Sequence, residues 1–233
     1  MPQPYSAIFF DMDGTLFDLV ACERETLRRL LAEETPALPP AIGEAFLTAY
    51  AAVSPSHWAA GLAKDASREA IVNGILAAVC AQPELNVFPR TSLAERYWRL
   101  FADVAVLEAG AHEILALLSS RYRLGVISNG YADTQRPRLA AAGLTDYFES
   151  IVVSGELGWA KPDFRIFSHA LAALDVPPTA ALYVGDSLSH DLAGALAAGL
   201  DFCLYRPAGS DGLTLPAEVK VVTALSQLAA ILG

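Results

Sequence analysis

The chain has 233 residues, 54% of them hydrophobic and 18% charged, which excludes a disordered protein and allows one large domain or two smaller ones. Sixteen Lys and Arg against 26 Asp and Glu leave a net charge of −10, a balance that repels nucleic-acid backbones and anionic membranes but not a small phosphate neutralised by a metal and local cations. Three widely spaced cysteines, Cys22, Cys80 and Cys203, form no CxxC pair, which argues against structural zinc and for a reducing compartment.

The N-terminus, MPQPYSAIFFDMDG, carries no basic segment ahead of its short apolar run and does not read as a signal peptide. No stretch reaches the ~18 uncharged apolar residues that span a bilayer. The expectation is a soluble cytoplasmic protein. Tyr5–Phe10 is apolar on both faces and ends at Asp11, as suits a buried parallel strand. The strand signal then disappears. Glu23–Glu34, Ala41–Val53, Ser67–Gln82 and Thr91–Asp103 read as helices, with Pro36, Pro39, Pro40, Pro55, Pro83 and Pro89 at the joints. Ile71, Ile75 and Val79 mark the buried stripe of the third helix.

Beyond this block the strands return at Leu124–Ser128, Ser150–Val153, Ala181–Gly185 and Asp201–Tyr205. Helical patterns separate them, one carrying Ile114, Leu115, Leu117 and Leu118, another Leu192, Ala195 and Leu196. Val221, Leu225, Leu228 and Leu232 close the chain at helical spacing. Strand and helix in alternation predict an α/β fold, a doubly wound parallel sheet, from residues 1–18 and 104–233. Residues 19–103 form an inserted all-helical domain.

Ligands of open α/β sheets bind beyond the carboxyl ends of the strands. Asp11, Asp13, Gly14 and Thr15 follow the first strand, and Ser128, Asn129 and Gly130 end the second. Lys161 lies in the loop after the third strand, and Asp186, Ser187 and Asp191 follow the fourth. Singly, each fits a turn or a helix cap. Four carboxylates at one sheet edge repel one another unless a cation is present. Mg²⁺ answers that repulsion, being held by one or two carboxylates plus a substrate phosphate. Asp11 and Asp186 can supply the carboxylates, Lys161 and Ser128 can bind phosphoryl oxygens, and Asp13 can protonate a leaving group and then activate water.

The string Asp11-Met12-Asp13-Gly14-Thr15-Leu16-Phe17-Asp18 resembles the first signature of the haloacid dehalogenase superfamily. Ser128-Asn129-Gly130, Lys161-Pro162-Asp163 and Gly185-Asp186-Ser187 through Asp191 resemble its second, third and fourth. The resemblance implies a Rossmann-like core with a helical cap after the first motif, mobile and setting specificity. It implies Asp11 as nucleophile and Asp13 as general acid/base that also offers a backbone carbonyl to Mg²⁺. Lys161 steadies the charge on both nucleophile and phosphoryl group, while Gly14, Thr15, Ser128 and Asn129 line the phosphate site. Asp186 ligates the metal and Asp191 supports it.

The activity so implied is Mg²⁺-dependent hydrolysis of small phosphate monoesters through an aspartyl-phosphate, with nucleoside monophosphates as first substrate class and sugar phosphates second. The partner expected is a small phosphorylated metabolite. A 2-haloacid dehalogenase uses the same nucleophile but needs neither metal nor Asp13. A phosphoglucomutase-type transferase and a catalytically silent metabolite-binding regulator are further alternatives. Within the helical domain, His57 and Trp58 are candidate substrate contacts, although an aromatic in a helical bundle belongs more often to the core. Phe17 and Asp18 are expected nearer the substrate.

Overall fold

Ala7–Phe10 (β1) has no solvent-exposed residue, because its side chains are covered on both faces of a parallel sheet. The other strands are Arg123–Ser128 (β2), Ser150–Val153 (β3), Ala181–Gly185 (β4), Asp201–Tyr205 (β5) and Lys220–Val222 (β6). They are ordered β3-β2-β1-β4-β5-β6, all parallel. This computed structural model describes residues 5–62, 64, 66–88 and 93–233. Strand order reverses at β1, and Phe10 stands level with both Val126 of β2 and Val184 of β4. The carboxyl ends of these three strands therefore lie side by side, β2 running two residues and β4 one residue past the level of Phe10, at the point where doubly wound sheets bind ligands.

The helices of this unit are Ala111–Ser119 (α5), Ala132–Ala141 (α6), Ser154–Leu157 (α7), Phe164–Ala173 (α8), Ala193–Ala197 (α9) and Leu228–Leu232 (α10). Phe9, Ile127, Phe167, Tyr183, Phe202 and Leu204 meet in its core. Each such side chain removed from water contributes roughly 1.5–3 kcal/mol. The second unit, Val20–Val104, is helical. It is built from Leu19–Glu34 (α1), Pro40–Leu62 (α2), Arg68–Cys80 (α3) and Ala94–Ala102 (α4). Its core is aromatic, with Tyr97 between Tyr50 and Phe101 and Trp98 edge-on to Trp58. Among the described residues no helix is long and apolar enough to cross a membrane.

Two elements differ from the sequence reading. Val221 lies in β6 and not in a closing helix, because its four-residue offset from Leu225 matched helical spacing by coincidence. Pro55 lies inside α2 and does not end it. Proline removes one ladder hydrogen bond, and burial of Phe46, Leu47 and Tyr50 on the same helix outweighs that loss. Thr91, the expected start of the fourth helix, and Pro89 lie outside the described residues.

Candidate active site

Asp11 follows β1 directly, and its N–H still pairs with Val184 O at 2.8 Å, so the sheet itself fixes where the carboxylate begins. The chain then turns back. Leu16 and Phe17 N–H both donate to Met12 O at 2.9 Å, and Gly14, at φ 86°, donates to Phe17 O at 2.8 Å. Only glycine reaches that φ without strain. The turn holds Asp11 and Asp13 at the sheet edge. Thr15 is fully buried in it, with a hydroxyl that has no hydrogen-bond partner among the described residues.

Lys161 arrives from the loop before α8. Its ammonium lies 2.5 Å from Asp11 Oδ1, 2.8 Å from Asp191 Oδ1 and 2.9 Å from the Tyr183 hydroxyl, almost wholly removed from solvent. Asn129 sets its place. The Asn129 amide accepts from Lys161 N at 2.7 Å and donates to Lys161 O at 2.9 Å. The side chain expected in the phosphate site thus serves it by anchoring the lysine's main chain. Asp191, fully buried, accepts from Ser187 N at 2.9 Å and from Tyr183.

Asp11, Asp186 and Asp191 bring carboxylate oxygens within 4.8 Å of one another. Burial pushes the Asp11 carboxyl well above the usual carboxylate range, against the pull of Lys161 and reinforced by Asp191 and Asp186. Burial and then Asp191 raise Asp186 as well. Burial works against the charge on Lys161, but Asp11 and Asp191 outweigh it and hold the amine above its ordinary value. Three acids and one lysine leave two negative charges uncompensated. The donors are all oxygen, so the set fits one hard divalent cation in both charge and chemistry. Asp13 does not belong to this carboxylate cluster.

The Asp13 carboxylate faces the other way. Its Oδ2 accepts from Gln135 Nε2 at 2.8 Å, and its Oδ1 forms a 2.7 Å ion pair with Arg138. Ser128, buried at the end of β2, accepts from the same Gln135 nitrogen at 2.7 Å. Phe17 is fully buried with the Arg138 guanidinium 4.7 Å from its ring centre, so it supports Arg138 and offers no face to solvent. Asp18 donates its N–H to Val106 O at 3.0 Å. Within the helical unit, His57 Nδ1 lies 3.0 Å from Val53 O and Trp58 packs on Trp98.

Gln135, Arg138 and Tyr183 were missed from sequence. From sequence the first two offer only a shared helix face with Thr134, and it is the structure that shows all three to be buried. Tyr183 carried little signal, since its hydroxyl sits in an otherwise apolar strand run.

The sequence model of the haloacid dehalogenase-like hydrolases matches residues 5–199. The chain is 31% identical over 210 residues to the pyrimidine 5'-nucleotidase PynA of Streptococcus pneumoniae, covering 87% of this chain and 84% of that one. The solved structure of YfnB from Bacillus subtilis, bound to magnesium, is similar with a TM-score of 0.79 at 26% identity, covering 99% and 100% of the two chains. A 2-haloacid dehalogenase from Pseudomonas syringae pv. Tomato is similar at 26% identity with a TM-score of 0.62, covering 98% of each chain. With its parallel sheet, its acids at the switch point and a family match over most of its length, the chain belongs to the haloacid dehalogenase-like hydrolases.

Proposed function

We propose that the protein is a Mg²⁺-dependent phosphatase of small phosphate monoesters that works through an aspartyl-phosphate on Asp11. One observation carries the reading: Asp11, Asp186 and Asp191 cluster within 4.8 Å of one another with Lys161 paired to the first and the last, while the Asp13 carboxylate is held by Gln135 and Arg138. A dehalogenase on this scaffold needs the first aspartate but neither a metal nor Asp13, and a silent binding protein needs no nucleophile. The likeness to a pyrimidine 5'-nucleotidase supports nucleoside monophosphates as the substrate class. The helical unit, inserted between β1 and β2, is assigned the role of a specificity cap. A small phosphorylated metabolite as partner and a cytoplasmic location complete the proposal.

Asp11 and Asp186 would hold the cation, with Asp191 bracing Lys161 and, through Ser187, the loop after β4. Bound there, Mg²⁺ would neutralise phosphoryl charge and orient the phosphate. A carboxylate oxygen of Asp11 attacks phosphorus as the ester P–O bond breaks, and Asp13 gives its proton to the departing oxygen. Water then loses a proton to Asp13 and attacks the same phosphorus. Phosphate leaves and the Asp11 carboxylate is restored. Lys161 and the Ser128 hydroxyl stabilise the phosphoryl oxygens through both displacements.

The test is an assay of the whole protein with p-nitrophenyl phosphate and, separately, 2-chloropropionate, each with EDTA and with added Mg²⁺. Phosphate release that stops in EDTA and returns with Mg²⁺, with no chloride release, is the expected result. Chloride release unaffected by EDTA would replace this reading with the dehalogenase.

A further inference from the structure

Gln135 and Arg138 stand one turn apart on α6, and each is almost or entirely withdrawn from water, at 2% and 0% exposure. Large polar side chains are buried only where their groups are satisfied. Here Asp13, a residue of the site, is a partner of both, and Ser128 is a partner of Gln135. Arg138 can only donate, so the Gln135 oxygen must be the atom facing it, at 3.1 Å. That fixes the amide the other way round toward Asp13 and Ser128, whose oxygens lie 2.8 and 2.7 Å from Gln135 Nε2.

Two consequences follow from counting hydrogens. Both amide hydrogens of Gln135 are spent, so Ser128 Oγ accepts from it and keeps its own hydrogen for another acceptor. Asp13 is held through Oδ2 by this amide and through Oδ1 by its ion pair with Arg138. Both carboxylate oxygens of Asp13 are thus fixed by side chains of α6. The chain after β2 is fitted to this amide: a Cβ on Gly130 would come within 2.8 Å of Gln135 Cγ and Cδ.

We propose that Gln135, backed by Arg138, is a positioning residue that joins the Asp13 carboxylate to the Ser128 hydroxyl through one side-chain amide. It places the acid/base and the phosphate donor relative to each other. The proposal rests on the phosphatase reading above.

The experiment measures kcat and KM of the Mg²⁺-supplemented full chain for aryl and alkyl phosphates of graded leaving-group pKa. Wild type, Gln135→Met, Asp13→Asn and the double variant are compared. Gln135→Met should lose about tenfold more kcat on an alkyl phosphate than on p-nitrophenyl phosphate, since a misplaced acid matters most for a poor leaving group. It should raise KM for both substrates through Ser128. In the Asp13→Asn background the same change should add no further leaving-group dependence. A loss equal across all leaving groups, or one that adds fully to Asp13→Asn, would overturn the positioning role while leaving the phosphatase standing. A wild type without phosphatase activity would overturn both. Should Gln135→Met fail to fold by circular dichroism, Gln135→Asn, too short to span both partners, is read by the same criteria.

Discussion

Lys161 Nζ lies 2.5 Å from Asp11 Oδ1, a contact made across 150 residues of sequence. With Asp191 on its other side, the buried ammonium is paired with two of the three clustered acids. Removing one partner of a buried ion pair leaves charge uncompensated and costs about 3–5 kcal/mol. Lys161→Met should lower the unfolding free energy by about that much in urea titrations without metal, and Mg²⁺ should restore part of it by mass action. A change below ~1 kcal/mol with no response to Mg²⁺ would remove Lys161 from the charge balance of the site.

Gly185 tests the bracing of that lysine from behind. A Cβ there would lie 2.5 Å from Asp191 Oδ2 and 2.6 Å from its Cγ, so Gly185→Ala must displace a fully buried carboxylate. Displacement of about 1 Å in a catalytic constellation can cost on the order of 100-fold. Steady-state kcat/KM on a phosphate ester should fall by that order, with the fold retained by circular dichroism. Full activity would mean that the Asp191 position is not coupled to the reaction.

Asp163 begins α8 two residues after Lys161 and accepts from Arg165 N at 2.9 Å. Hydrogen bonds from the Arg165 guanidinium, then from its backbone N–H, hold the Asp163 carboxyl down at about 2. A depressed folded pKa gives stabilisation that is complete above the unfolded value near ~3.9 and is lost as pH falls through the folded one. Asp163→Asn keeps the capping oxygen and removes the charge. The difference in Tm between wild type and variant should therefore be constant above about pH 5 and shrink between about pH 4 and pH 2. A difference that does not change with pH would contradict the assignment.

The cysteines should differ in reactivity. Burial pushes the Cys203 thiol up to about 12, and Cys203 and Cys22 have no exposed surface, whereas Cys80 is half-buried. Thiolate is the reactive form. With a thiol reagent near neutral pH, Cys80 should be modified first and the other two only as the protein unfolds, as peptide mass mapping will read. Early labelling of Cys203 would contradict its packing in β5.

Much of this architecture was legible because parallel strands buried on both faces leave short apolar runs. Ser150–Val153, Ala181–Gly185 and Asp201–Tyr205 coincide with β3, β4 and β5. Residues that act at strand ends were legible for the same reason, since Asp11, Ser128 and Asp186 sit where those runs stop. β6 escaped because three residues at a sheet edge carry too little pattern, and one of them matched a helical spacing. The Gln135–Arg138 pair escaped for a different reason. Its meaning lies in where α6 returns against β1 and β2, a tertiary relationship between Asp13 and a residue 122 positions away. The same holds for Tyr183, whose hydroxyl becomes a partner of Lys161 only once β4 lies beside β1.

The covalent step at Asp11 leaves a chemical trace that can be read directly. Protein mixed with Mg²⁺ and a rapidly cleaved phosphate ester, quenched in acid within the first turnover and digested, should yield the peptide containing Asp11 heavier by the mass of HPO₃. Mild base should remove that mass, as it does from an acyl phosphate, and Asp11→Asn should never acquire it. Phosphate released by the wild type with no modified Asp11 peptide at any quench time, or by Asp11→Asn at a comparable rate, would contradict catalysis through this aspartate.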